Sequence, residues 1–88
     1  DRRQMGAWSR LFTGARARLA QQGIASAEHE TPRQLAARVH QAQGNRAWQD
    51  WLLQLEALRY RPNTSIKSQA EMASQLKALR RALVRISA

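Results

Sequence analysis

The sequence contains no cysteine, and this absence excludes disulfide bonds, thiolate metal sites and a cysteine nucleophile. Residue types that favour strands are also scarce: Val, Ile, Thr, Phe and Tyr are few, and the apolar set is mainly Ala and Leu with three Trp. This composition favours helix. Eighty-eight residues, 43% of them apolar, suffice for one modest hydrophobic core and are too few for two. We therefore expect a single all-α domain.

Long apolar runs are missing as well. The longest is far below the roughly 18 to 20 residues that a membrane span requires, and the chain does not begin with a hydrophobic signal segment. The first residue is Asp1 rather than a methionine. We therefore expect the chain to be a fragment of a longer protein, which could itself be anchored in a membrane.

Acidic residues are few, since six Asp and Glu stand against fifteen Lys and Arg, and the formal net charge is +9. The excess lies at the ends: residues 1–23 and 67–88 carry +4 each, whereas residues 24–44 carry 0 and residues 45–66 carry +1. Such a balance attracts the phosphates of nucleic acid or anionic lipid headgroups. It is equally typical of a cytoplasmic segment beside a membrane span.

Hydrophobic periodicity and helix-stop residues predict a compact four-helix domain, with helices at about residues 4–22, 32–42, 46–60 and 69–86. Gly23 and Gly44 are expected to end the first two helices, and Pro62 to stop the third. Ile24 is expected to tuck under the first helix just past its glycine.

The first predicted helix has a single apolar stripe, made of Met5, Trp8, Leu11, Phe12, Ala15 and Leu19. On a helical wheel Arg3 and Arg10 fall opposite this stripe, and Gly14 falls on the outer side of the helix. Arg16 and Arg18 flank it, where their aliphatic stems can cover its edges.

Two segments carry helix-start signals. In Glu30-Thr31-Pro32-Arg33-Gln34, Thr31 can act as the N-cap, Pro32 suits the first helical position, and Gln34 can reach back to complete a capping box. Ser68-Gln69-Ala70-Glu71 has the same spacing, so Ser68 and Glu71 are predicted to form the capping box of the fourth helix. Asn45 is the predicted N-cap of the third.

The later helices are predicted to form most of the core. The second helix has a narrow inward stripe of Leu35, Val39 and Ala42. The third has a broad apolar arc, made of Ala47, Trp48, Trp51, Leu52, Leu55 and Leu58, and a second patch of Leu53 and Tyr60. A helix buried on two sides is expected at the centre of the fold. The fourth has a heptad-like seam of Met72, Leu76, Leu79, Leu83 and Ile86, which we expect to pack against the other three helices.

Residues that could perform chemistry are sparse. His29 and His40 do not share a helical face, so no His-x-x-x-His metal pair exists, and both are expected at the surface. Glu28 and Glu30 are better explained by the favourable interaction of negative charge with a helix N-terminus than by a cation site. No glycine-rich phosphate loop and no Gly-x-Ser-x-Gly motif is present. We predict no catalytic, metal-binding or cofactor-binding residues and no cofactor.

The charge leaves two kinds of anionic partner open. The residues predicted to contact an anionic surface are Arg2, Arg3, Arg10, Lys77, Arg80, Arg81 and Arg85. They could line the phosphates of a nucleic acid, and a helix-turn-helix could be drawn from the second and third helices. The would-be recognition helix is mixed in charge rather than basic, however, because it includes Gln49, Asp50, Gln54 and Glu56. Contact with anionic lipid headgroups through Arg2, Arg3 and Arg10 is the other alternative.

Several segments together resemble a known bacterial module. These are the basic first helix, Gln22-Gly23-Ile24, the run from Glu30-Thr31-Pro32-Arg33 to Val39, a helix ending Leu58-Arg59-Tyr60, and a basic Leu-repeat helix. The chain resembles, over nearly its whole length, the C-terminal domain of unknown function of TgpA-like proteins, the membrane-anchored transglutaminase-like proteins of bacteria. The family commonly has a small residue after the Tyr, where this chain has Arg61-Pro62.

The resemblance implies a parent protein with several membrane spans, an extracytoplasmic transglutaminase-like core with a Cys, His and Asp triad, and this segment on the cytoplasmic side of the inner membrane. No triad residue maps onto these 88 positions. The basic start at Arg2 and Arg3 would follow a span on its cytoplasmic side. The resemblance also implies a protein partner, such as a MoxR-like ATPase or other parts of the parent chain. We therefore expect a non-catalytic interaction or regulatory domain, with nucleic-acid binding as the alternative.

Overall fold

A computed structural model of the chain describes the backbone of residues 2–61 and 65–87 and the side chains of residues 5–61 and 65–87. It contains four α-helices: α1 Arg2–Gln21, α2 Pro32–Ala42, α3 Arg46–Arg59 and α4 Ile66–Ile86. The described residues include no β-strand. The prediction of an all-α four-helix fold is confirmed, with the first helix starting two residues and the last three residues earlier than expected.

α1 ends at a glycine that adopts a left-handed conformation. Gly23 has φ of +88°. Its N–H donates to the carbonyl of Ala20 at 3.0 Å, and the N–H of Ile24 donates to the carbonyl of Leu19 at 2.9 Å. These two bonds are the pattern of a Schellman motif. Ile24 is buried, so the chain turns and packs its first residue after the motif into the core, as predicted.

The start of α2 satisfies its free N–H groups with both local and distant acceptors. Thr31 is the N-cap, and its hydroxyl accepts a hydrogen bond from the N–H of Gln34 at 3.2 Å. The Gln34 side chain accepts in return from the N–H of Thr31 at 2.9 Å, so the predicted capping box is present. The N–H of Arg33 donates to a carboxylate oxygen of Glu56 on α3 at 3.1 Å. This carboxylate places negative charge at the positive end of the α2 dipole.

The turn from α2 to α3 consists of the three residues 43–45. Gly44 has φ of +63°, and its N–H donates to the carbonyl of His40 at 3.1 Å. Asn45 then caps α3, because its side-chain oxygen accepts from the N–H of Trp48 at 3.3 Å. α3 ends at Arg59 with Tyr60 as its C-cap. The predicted stop at Pro62 lies outside the described residues.

The predicted start of α4 at Ser68 and Glu71 is wrong. The N-cap is Ser65, whose hydroxyl accepts from the N–H of Ser68 at 3.0 Å. Ser68 is therefore the third helical residue, and Glu71 lies exposed within the helix. A start at Ile66 is favoured because Ser65 is itself a good N-cap and its carbonyl accepts from the N–H of Gln69 at 3.0 Å, which adds nearly one turn of helix.

The core lies around α3, which packs against each of the other three helices. The predicted stripes are buried on α1 (Trp8, Leu11, Phe12, Ala15, Leu19), α2 (Leu35, Val39), α3 (Trp48, Trp51, Leu52, Leu55, Leu58) and α4 (Met72, Leu76, Leu79, Leu83). Ala36 adds to the α2 stripe. Ile86 is half-buried.

Some apolar residues predicted to be buried are exposed, namely Met5, Ala42, Ala47, Leu53 and Tyr60. Met5 lies one turn before Trp8, the first buried residue of α1. The helices that pack on α3 all fit on its broad arc, so Leu53 and Tyr60 face solvent. α3 is central because its single apolar arc is wide enough to contact the other three helices. Its central position does not require a second buried side.

Two of the three tryptophans join helices through hydrogen bonds as well as apolar contact. The indole N–H of Trp8 on α1 donates to the carbonyl of Leu55 on α3 at 2.8 Å. The indole N–H of Trp51 on α3 donates to the carbonyl of Leu79 on α4, also at 2.8 Å. The third, Trp48, is fully buried, and its Nε1 has no hydrogen-bond acceptor in the described part of the chain.

Candidate functional site: a basic groove between the first and last helices

The fold brings the two basic ends of the sequence together. α1 packs against α4, so part of the positive charge at the two ends of the chain lies along one contact. Residues 1–22 and 65–88 contain ten Lys and Arg against two acidic residues, whereas residues 23–64 contain five against four. Nearly all of the net charge is therefore carried by the half of the sequence that forms α1 and α4.

An open groove with a volume of about 1220 Å³ runs along the α1–α4 contact. Four cations line it: Arg10 and Arg18 on α1, and Lys77 and Arg80 on α4. The remaining lining is small or apolar and consists of Ala7, Leu11, Gly14, Ala73, Ser74, Leu76, Leu83 and Val84. We call this feature the α1–α4 groove. None of the described residues that line it is acidic.

The floor of the groove is formed by core leucines. Leu11, Leu76 and Leu83 are 8%, 6% and 4% exposed, whereas the leucines in the contact between α2 and α3 are fully buried. A Cβ added at Gly14 would lie 3.3 Å from Nη1 of Arg18 and 3.9 Å from Cδ2 of Leu83. Gly14 was predicted on the outer side of α1, and this is wrong: it lies at the edge of the α4 contact. Arg18 extends over the glycine because no side chain stands in its way.

The groove cations have no polar partner among the described residues, whereas Arg16, Arg38 and Arg59 are engaged within the fold. Among the described residues, Arg10, Arg18, Lys77 and Arg80 make no ion pair and no hydrogen bond. Free cations with apolar neighbours form a surface that can bind an anionic, partly apolar ligand.

The engaged arginines have structural partners. Arg16 donates to the Ser26 hydroxyl at 2.7 Å and to the carbonyl of Ala27 at 3.1 Å, and its guanidinium lies 5.6 Å from the Phe12 ring centre. The guanidinium of Arg59 lies 5.3 Å from the ring centre of Trp8, within cation–π range.

Glu30 is also engaged, although not in the way that its position suggested. Its two carboxylate oxygens share the single N–H of Arg38 Nε, at 3.3 and 3.2 Å, and one of them also accepts from Nη2 at 2.7 Å. It accepts a further bond from the N–H of Ala27 at 3.3 Å. The hydrogen bond and the charge of Glu30 raise the pKa of Arg38 above its ordinary value. Glu30 thus ties the connection before α2 to the middle of that helix, and Glu56 is the carboxylate that contacts the α2 N-terminus.

The residues predicted to contact an anionic surface are divided by the fold. Arg10, Lys77 and Arg80 line the groove. Arg81 and Arg85 are exposed on α4 outside it. The side chains of Arg2 and Arg3 lie outside the described residues. Arg18 lines the groove but was not predicted, because the sequence does not say which flank of the α1 stripe faces α4.

The other polar candidates do not form a comparable site. His29 and His40 are exposed on the connection and on α2. No group of three His, Asp or Glu side chains in the described ranges lies close enough to hold a metal ion. A smaller groove of about 440 Å³ between α3 and α4 has Arg61 as its one charged residue, with Gln54 and Gln75 beside small and apolar side chains.

Comparison with known proteins adds no functional information to the geometry of the α1–α4 groove. No protein-family model, no curated protein and no solved structure matches the chain. Within the described residues, no helix is both long and apolar enough to cross a membrane.

Proposed function

We propose that this chain is a non-catalytic interaction domain that binds an acidic protein surface through the face formed by α1 and α4. The observation that carries the proposal is the set of four groove cations without a partner among the described residues. Clustered cations on one face steer and retain an anionic partner. Arg16, Arg38 and Arg59, which are engaged within the fold, support the interpretation that the groove cations serve something outside it.

We also propose the setting that the family resemblance implies. The domain would be the cytoplasmic tail of a membrane-bound, transglutaminase-like protein at the bacterial inner membrane, with an interaction or regulatory role. Its partner would be another protein, for which a MoxR-like ATPase is one candidate, or another part of the parent chain. The support is the resemblance of residues 22–24, 30–39 and 58–60 to that family and the basic start of the chain.

The reading frame upstream of Asp1 tests this setting directly. A hydrophobic span shortly before Asp1, preceded by a transglutaminase-like segment with its triad, is the expected finding. A frame that starts near Asp1, or an upstream domain of another class, would remove the setting and leave the binding proposal intact. Transamidation or amide hydrolysis by the isolated chain, lost on mutating one polar residue, would contradict the non-catalytic part.

Nucleic-acid binding is the second candidate, and the same free cations favour it. The face formed by α1 and α4 would carry it rather than a helix-turn-helix of α2 and α3. On α3, Glu56 is engaged at the α2 N-terminus and Asp50 is exposed. The surface of α3 is therefore mixed in charge and is poorly suited to contact phosphates.

A titration with three kinds of labelled probe separates the candidate functions. The probes are poly-glutamate, random-sequence duplex and single-stranded DNA, and vesicles with or without anionic lipid, each at about 0.15 M salt and over a salt series. The proposal predicts saturable binding of poly-glutamate that is weakened by reversing groove charges. Tighter binding of DNA, with a log–log salt slope of roughly −4 for four phosphate contacts, would replace it with the nucleic-acid function. Binding to anionic vesicles alone would replace it with lipid contact.

A further inference from the structure

The α1–α4 groove has the length of a short helix-binding site. It is lined by residues 7–18 of α1 and 73–84 of α4, so each wall spans about 16 Å at 1.5 Å per residue. This length corresponds to about three turns of a bound helix. The α4 wall presents the small residues Ala73 and Ser74 toward the groove, so a side chain from outside can reach the leucine floor there. On the α1 wall, Arg18 extends over Gly14.

The charges stand on both rims of this apolar floor. Arg10 and Arg18 lie on the α1 side, and Lys77 and Arg80 lie on the α4 side. Glu71 is the one acidic residue of α4, and its helical position puts it on another side from Lys77 and Arg80. A ligand in the groove therefore meets positive charge on each flank and apolar surface in the middle.

Exposed apolar residues continue the floor along α4. Val84 lines the groove and is 61% exposed. Ile66 is 86% exposed, and its spacing from Ala73, Lys77 and Val84 puts it on the same stripe of the helix. A face that alternates apolar and cationic residues is complementary to an amphipathic segment with acidic flanks.

Other occupants match only part of this pattern. The phosphates of a nucleic acid would pair with the rims and leave the apolar floor unused. A bilayer surface is nearly flat on this scale and would not reach the floor of a groove. A second copy of this chain would bring +9 to a site whose charged residues are all cations, and like charges repel.

We propose that the α1–α4 groove binds an amphipathic α-helix of a partner protein, about three turns long, with its apolar stripe on the leucine floor and Asp or Glu on both flanks. This inference rests on the proposed function and specifies the form of the acidic surface. Helix-in-groove recognition of this kind reads apolar anchors at positions i, i+3, i+4 and i+7. Because three turns form only a small interface, the affinity is expected to be on the order of micromolar.

The test uses two synthetic peptides of identical composition. One has leucines at i, i+3, i+4 and i+7 with glutamates on both flanks; the other is scrambled so that no apolar stripe forms. Binding of each labelled peptide to the whole chain is measured by fluorescence anisotropy at about 0.15 M salt. The patterned peptide should bind roughly tenfold more tightly than the scrambled one and become helical on binding by circular dichroism.

Three variants locate the binding site. Lys77→Glu should weaken the patterned peptide roughly tenfold, because it reverses a rim charge. Arg81→Glu makes the same change in net charge at an exposed α4 position outside the groove, and it should change affinity less than about twofold. Ala73→Trp fills the groove without changing charge. It should abolish the preference for the patterned peptide, and unchanged circular dichroism of the free variant checks its fold.

The outcomes separate this inference from the proposed function. Two results would show that the basic face binds acidic chains by charge alone: equal binding of both peptides, or an effect of Lys77→Glu without an effect of Ala73→Trp. Either result would make the helix-in-groove inference wrong and leave the proposed function standing. If neither peptide nor poly-glutamate binds, both are wrong. If Arg81→Glu weakens binding as much as Lys77→Glu, the groove is not the site.

Discussion

The three buried tryptophans allow one prediction to be worked out in detail, because they undergo the same substitution in different hydrogen-bonding states. Trp8, Trp48 and Trp51 are 4%, 0% and 3% exposed. The indole N–H groups of Trp8 and Trp51 donate to main-chain carbonyls, whereas that of Trp48 has no acceptor among the described residues. Replacing each with phenylalanine removes a similar volume and, in two cases only, a hydrogen bond.

The magnitudes follow from these contacts. The lost volume costs each variant roughly 1 to 3 kcal/mol. Trp8→Phe and Trp51→Phe also lose a net contribution of about 0.5 to 1.5 kcal/mol from the hydrogen bond. Trp48→Phe instead removes a buried donor whose lack of a partner costs about 1 to 3 kcal/mol. We therefore expect Trp48→Phe to be the least destabilising of the three by roughly 1.5 to 4.5 kcal/mol, and close to neutral if its cavity is partly filled.

The measurement is the free energy of unfolding from urea titrations followed by circular dichroism, which does not depend on the tryptophan being replaced. Equal m-values for the three variants would show that the unfolded states are comparable. The reasoning is refuted if Trp48→Phe is as destabilising as the other two. In that case the Trp48 N–H is satisfied in solution, for instance by the ring face of Trp51, whose centre lies 6.0 Å from that of Trp48 in a T-shaped arrangement.

Three further predictions test local features of the fold by thermal or urea unfolding. Gly23→Ala should destabilise by about 1 to 2 kcal/mol because φ is +88°. Gly6→Ala should instead stabilise by about 0.5 to 1 kcal/mol, since beyond its own stretch of α1 no described atom lies within 4 Å of the added Cβ; equal effects would contradict the Schellman motif. Ser65→Ala should cost about 1 kcal/mol and Ser68→Ala much less, and the reverse order would restore the later α4 start. Glu56→Gln should cost roughly 0.3 to 1 kcal/mol, less at high salt, and no salt dependence would argue against a role at the α2 dipole.

Local signals predicted the fold well. The α2 capping box needs only Thr31 and Gln34, three residues apart, so the sequence contains all of the information. The start of α4 was mispredicted because Ser65 and Ser68 both suit an N-cap, and the Ser-x-x-Glu pattern favoured the later one. The earlier start adds nearly one turn of helix, and this gain decides between the two serines. A four-residue capping pattern contains no information about that added turn.

The candidate site depends on relations that the sequence does not contain. Arg16 and Arg18 flank the same apolar stripe of α1 on opposite sides, and periodicity treats them alike. The packing of α1 decides that Arg16 meets Ser26 and that Arg18 meets α4. The contact of Glu56 with the N-terminus of α2 joins residues 23 positions apart and was missed for the same reason. The basic ends were recognised from composition, but their union in one groove required the fold.

The pairing of two basic helices has a consequence for the stability of the whole domain. The groove cations of α1 and α4 repel one another across a contact that is less extensive than the one between α2 and α3. The α1–α4 contact should therefore open first, and its amides should exchange hydrogen sooner. Added salt weakens that repulsion and should raise the melting temperature. An acidic partner seated between the helices would oppose opening in the same way, and at a hundred times its Kd it would add about 2.7 kcal/mol to the free energy of unfolding. Partner binding and folding are thus thermodynamically linked at the α1–α4 contact. We therefore expect the free domain to be less stable than the partner-bound domain.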